Sequence, residues 1–159
     1  MFEDSQKKRI VDIYEYMPVL RELIEEGKEV SFTVAGNSMS PFIVHGRDQI
    51  IIEKPVDKWK KGDIGFFQRA SGAYILHRIC RIDKQGNCWF VGDGQQDIEG
   101  PILPEQIFAK VTAVKRKGKW IRKGNFWWEF FARFWIYVIP LRPWFHRLYG
   151  VLKRLLRRS

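Results

Sequence analysis

The period of apolar and polar positions changes twice along the chain. Near the N-terminus Ile10, Ile13, Tyr14, Met17, Leu20 and Ile24 recur at intervals of three and four, which predicts an amphipathic helix, bent at Pro18. From Val30 the apolar residues come in short runs: Val30 to Ala35, Gln49 to Glu53, Asp63 to Gln68, Ala73 to Ile82, Cys88 to Val91 and Ile107 to Val114. These runs are rich in Ile, Val, Phe and Tyr, and are divided by turn-forming segments such as KKGD, RASG, DKQGN and GDGQQDIEGPILPE. They predict a mainly β core of about six or seven strands. Past Gly124 the pattern becomes aromatic and helical, and Pro140 and Pro143 predict a break into two short helices. The chain thus divides into an N-terminal amphipathic helix over 1–28, a β core over 29–123 and a tail over 124–159.

A length of 159 residues suits one domain with a real core. Charge separates the tail from the rest. The net charge is +10, and from Lys115 onward thirteen Lys/Arg stand against Glu129 alone, which is +12, so the preceding residues sum to −2. Five of the seven tryptophans also fall from Trp120 onward, yet the longest uncharged stretch, Phe134 to Leu141, is far short of the ~20 residues of a spanning helix. Glu129 and Arg133 are one turn apart and can pair, leaving Phe126, Trp127, Phe130, Phe131, Phe134, Trp135 and Val138 as an apolar surface. Aromatics beside a basic run suit a helix lying on an anionic membrane surface. Packing of these aromatics on the core or in a dimer is the competing reading; nucleic acid ranks last, because phosphate binding does not need so many rings. No stretch reads as an export signal. Cys80 and Cys88 flank DKQGN and are read as small apolar strand residues in preference to a disulfide or a metal site. No cofactor is expected.

The chemistry centres on TVAGNSMSPFIVHGRDQIIIEK. Ser38 stands between Gly36 and Pro41, just past a predicted strand, where a tight turn would present its hydroxyl. His77 lies in YILHRICRI, where alternation places Ile75, His77 and Ile79 on one face. Read singly, these are more often a turn serine and a core histidine. Their order changes the balance. GNSMSP, then HGRDQIII, then GDIGFF, the loop QRASGA and HRI, and finally WFVGDGQQDIEGPI together resemble the boxes of the signal peptidase I and LexA-like serine peptidases. A histidine where the bacterial enzymes have lysine makes the chain most similar to the ER-type signal peptidases. The resemblance covers roughly Val30 to Val114.

That resemblance implies a signal-peptidase/LexA-like β-barrel-type core, with Ser38 as nucleophile, His77 as general base, and Asp93 or Asp97 orienting the imidazole. Asp93 ends a predicted strand and Asp97 lies in a loop, and both stay open. The oxyanion donor would come from the Ser38 amide, from another backbone N–H or from Asn37, since Gly36 stands where many signal peptidases have a hydroxyl. Met39 would shape the substrate pocket. The expectation is a serine endopeptidase cutting a signal or leader peptide from a precursor, peripheral to the membrane on its cytoplasmic face. Two alternatives stand beside it. A LexA-like self-cleaving regulator would want a DNA-binding domain ahead of the core; a non-catalytic membrane-binding scaffold would have no use for the intact Ser, His and Asp.

Overall fold

A computed structural model describes residues 13–156, so the expectations that rest on Ile10 and on the last three residues lie outside it. Helix α1 (Ile13–Glu25) carries Pro18 inside it and buries Met17 and Ile24 against the sheet, with Leu20 and Leu23 partly covered. The three-and-four spacing of these residues gives the helix one apolar stripe.

Eight strands follow: β1 (Val30–Thr33), β2 (Gln49–Glu53), β3 (Ile64–Gln68), β4 (Tyr74–Ile82), β5 (Cys88–Val91), β6 (Glu99–Ile102), β7 (Ile107–Arg116) and β8 (Lys119–Ile121). They form one antiparallel sheet in the order β1-β2-β7-β3-β4-β5-β6, with β8 paired to β7. The sheet is not closed into a barrel, which corrects the barrel-type core expected from the resemblance. The short strands β1 and β6 end it as unpaired edges. Strand and helix take similar shares of the chain, about 31% and 29%, because the tail adds helix to a β core.

Burial explains the strand pattern. In β4 the four residues from His77 to Cys80 are all buried, so both faces are covered at this point. Ile75 and Ile79 pack with Phe67 and Phe90 on one face, whereas Cys80 lies with Val91 and Ile136 on the other. Cys88 belongs to the first cluster. The two cysteines therefore sit in different clusters and both are free thiols; Cys80 Sγ donates to Trp89 O at 3.3 Å.

The tail folds as helix α2 (Phe126–Glu129), a wider π turn over Phe130–Phe134, a 3-10 turn over Ile139–Leu141, and helix α3 (Arg142–Leu156). Asn125 caps α2 by accepting from Trp127 N at 3.0 Å, and Glu129 pairs with Arg133 at 2.8 Å. Pro140 falls in the 3-10 turn, while Pro143 is tolerated in the first turn of α3, where its missing N–H is not needed. Trp128, Phe131 and Ile136 are buried on the core. Phe42 receives two of them, with ring centroids 5.9 Å from Trp128 and 4.9 Å from Phe131. The tail thus packs on the core along one side and leaves Phe126, Trp127, Phe134 and Tyr137 exposed on the other.

Candidate active site

The loop after β1 carries the serine. Gly36 takes φ +91°, a backbone conformation that side chains disfavour, and the chain then tightens as Ser40 N donates to Asn37 O at 3.0 Å. Asp48 holds the far side of this loop. Its Oδ2 accepts from Val44 N at 2.9 Å, and both oxygens accept from Arg47, at 2.7 and 2.8 Å. Burial raises the Asp48 carboxyl, but the bonds from Arg47 and Val44 outweigh it and hold the acid below the ordinary carboxylate range. The G-x-D motif is therefore a loop brace.

Val91, the last residue of β5, leads straight into the Gly92–Asp93–Gly94 turn, which lies against the serine. Gly94 N donates to Ser38 O at 2.9 Å. A Cβ on Gly92 would meet Ser38 O at 2.4 Å, and one on Gly94 would meet Ser40 O at 2.7 Å. Only glycine permits this approach of two backbones. The register of β4 on β3 sets His77 opposite Gly65.

Ser38 and His77 line one cleft of about 510 Å3. Ser38 and its neighbours Asn37 and Met39 contribute one part of the lining, and Arg69, Leu76 and His77 another. No hydrogen bond joins the hydroxyl to the imidazole in this structure. His77 is buried, and its Nδ1 has no hydrogen-bond partner among the described residues. Burial pulls the imidazole down to about 4; Glu99 and Asp93 act in the opposite direction and Arg69 adds to the lowering. At neutral pH the ring is uncharged.

The carboxylates fall differently from the expectation. Asp93 is fully buried, and Arg78 takes both of its oxygens, Nε to Oδ1 at 2.8 Å and Nη2 to Oδ2 at 2.7 Å. Arg78 Nη1 also donates to Gly62 O at 2.9 Å, and its guanidinium lies 5.0 Å over the Phe42 ring. Asp93 thus ties the turn to β4, and in this arrangement it does not orient His77. Asp97 is exposed in the following loop and ion-pairs with none of the described residues. The other carboxylate near the imidazole is Glu99, which the sequence reading did not single out. It is bound by Arg69 through two bonds of 2.6 Å at the rim of the cleft. Its signal in the sequence is faint: it sits in EGPI, read as loop because of Gly100 and Pro101.

The expected oxyanion and pocket residues separate too. Gly36 N–H is already used, donating to His45 Nδ1 at 2.9 Å. The Ser38 amide donates to no acceptor among the described residues, and Asn37 is exposed beside it. Met39 lines the cleft from a buried position in the main core. Among the described residues no group of three or more His, Cys, Asp or Glu side chains is placed to hold a metal ion.

Arg142 was also not foreseen. It is fully buried at the start of α3 and donates to Gly92 O at 2.8 Å, Gln95 O at 2.6 Å and Trp135 O at 3.0 Å. No family model, curated protein or solved structure matches this chain.

Proposed function

We propose that the chain is a serine endopeptidase that cuts a signal or leader peptide from a precursor at a membrane surface. The observation that carries the reading is the shared cleft: a serine on a glycine turn and a buried, uncharged imidazole, drawn from separate elements, face one volume that can admit a peptide segment. In this mechanism Ser38 Oγ attacks the scissile carbonyl, and His77 takes the hydroxyl proton and returns it to the leaving amine. The Ser38 amide, which donates to none of the described residues, is available to the oxyanion. Charge that develops on the imidazole is stabilised by the nearby Glu99. Phe32, Val34 and Leu76 give the cleft apolar walls, which suit the apolar side chains of a leader peptide. The basic aromatic tail would bring the enzyme to the bilayer where such precursors are made or held.

The test is cleavage of a panel of leader and signal peptides by the chain, with Ser38→Ala and His77→Ala beside it. Loss of at least ~10³-fold in both variants, with unchanged folding, is expected. A Ser38→Ala chain that cuts as well as the parent refutes the reading. A non-catalytic scaffold is the second reading, favoured by two observations: Arg78 occupies Asp93, and Nδ1 of His77 has no orienting partner among the described residues. It predicts vesicle binding with no peptide cut by any form of the chain. A LexA-like self-cleaving regulator remains the other enzymatic alternative, and it predicts cuts in this chain's own backbone.

A further inference from the structure

Of the fifteen residues of helix α3, Arg142 alone is buried. Trp144, Phe145, Leu148, Leu152 and Leu155 are all exposed. At 3.6 residues per turn they fall, with Tyr149, Val151 and Leu156, within an arc of roughly 160°. His146, Arg147, Lys153 and Arg154 occupy the opposite arc, and no Asp or Glu follows Glu129 in the chain. A lone helix of about this length is marginal in water, and among the described residues its apolar face stays exposed, with Phe145 alone set beside a core ring, 6.2 Å from that of Trp135. A second copy laid on it would cover the apolar face but leave the basic residues unpaired, whereas an anionic lipid surface would take the face and neutralise them as well.

The root of this helix is fixed to the serine loop. Arg142 holds the carbonyls of Gly92 and Gln95, and Trp135 Nε1 donates to Asp93 O at 2.7 Å. The same turn donates through Gly94 N to Ser38 O. We propose that α3 seats on an anionic bilayer and that Arg142 transmits this seating to the Gly92–Gln95 turn, setting the backbone of Ser38. The inference rests on the membrane-surface part of the proposed function and adds regulation to it: ordering α3 on lipid orders its root, and the root orders the turn. Arg142 is then a positioning residue, acting on Ser38 through the Gly92–Gln95 turn.

The test uses the full chain with vesicles of phosphatidylcholine mixed with phosphatidylglycerol, and of phosphatidylcholine alone. Co-sedimentation reads the seating, and amide hydrogen exchange at Gly94 and Gln95 reads the turn. The mixed vesicles should bind and slow exchange at both amides several-fold, and phosphatidylcholine alone should do neither. Leu148→Glu with Leu152→Glu, both at exposed positions, should abolish binding and protection together. Arg142→Gln should still bind but lose the protection; Trp135→Phe, which keeps the ring and removes one bond to the turn, should lose part of it and serves if the first variant misfolds. Absence of binding to mixed vesicles overturns the surface. Binding with no change at Gly94, or protection that survives both Arg142→Gln and Trp135→Phe, overturns the coupling. Binding and protection in a chain that cuts no peptide would leave this inference standing and remove the peptidase instead.

Discussion

Two arginine–carboxylate pairs stand near the candidate site, and they differ in access to water. Arg78 and Asp93 are both fully buried, whereas the side chains of Arg69 and Glu99 are 43% and 26% exposed. Each pair is bidentate and each is short. Burial alone assigns them different work. In the interior, neither charge of the first pair can be left without its partner, so the pair fixes position: it ties β4 to the turn that touches Ser38. At the rim water screens the second pair, which therefore adds little to stability but can adjust the charge felt by His77 and by a peptide entering the cleft. The conspicuous G-D motif supplies the structural acid, and an unremarked glutamate supplies the responsive one.

That contrast breaks most visibly at Asp93. Asp93→Ala strands a buried guanidinium and should cost about 3–5 kcal/mol in urea unfolding; a cost below about 1 kcal/mol would mean that the pair does not brace the turn. His77 comes next. Its folded-state value lies below the ordinary imidazole value of 6.5, at about 4. Unfolded chains therefore take up a proton first as pH falls, so this contribution is intact above 6.5 and is lost between 6.5 and 4, to a total of about 3 kcal/mol. His77→Gln should remove that slope from the pH dependence of stability. If the slopes of parent and variant coincide, the imidazole is not buried neutral.

The rim pair should give smaller numbers. Arg69→Gln and Glu99→Gln should each change stability by less than about 1 kcal/mol while moving the imidazole in opposite directions, up in the first and down in the second, as read by NMR titration. Shifts of the same sign would exclude an electrostatic role for the pair. Arg133→Gln, which breaks the exposed pair with Glu129, is the mildest change, at a few tenths of a kcal/mol. It marks the floor against which the rim effects are judged.

Much of the fold could be read from the sequence, because Ile, Val and Phe runs bounded by Gly and Asp report strands directly. β6 escaped notice since EGPI has the composition of a turn and pairs only at an edge. Sheet closure is a property of the two edge strands and leaves no local pattern, so the expected barrel proved to be an open sheet. Ser38 and His77 were singled out by their boxes, and they line one cleft. The partners of the acids were not. Arg78 sits next to His77 in sequence but points through the other face of β4, where it meets Asp93, and Arg142 reaches Gly92 from the far end of the chain. Both pairings are decided by tertiary packing. In the tail, Trp128 and Phe131 pack inward on Phe42, as the packing reading expects, while the apolar residues of α3 stay exposed.

The central claim is that Ser38 is a nucleophile served by His77, and it can be tested without knowing the substrate. The chain would be treated with a fluorophosphonate, which phosphonylates an activated serine with loss of fluoride, and the adduct located by peptide mass mapping across a pH series. The account predicts one adduct, on Ser38, strongly reduced in His77→Ala, with a rate that holds below pH 6.5 and falls only as pH nears 4. No adduct on Ser38, or one that forms equally fast in His77→Ala, would contradict it.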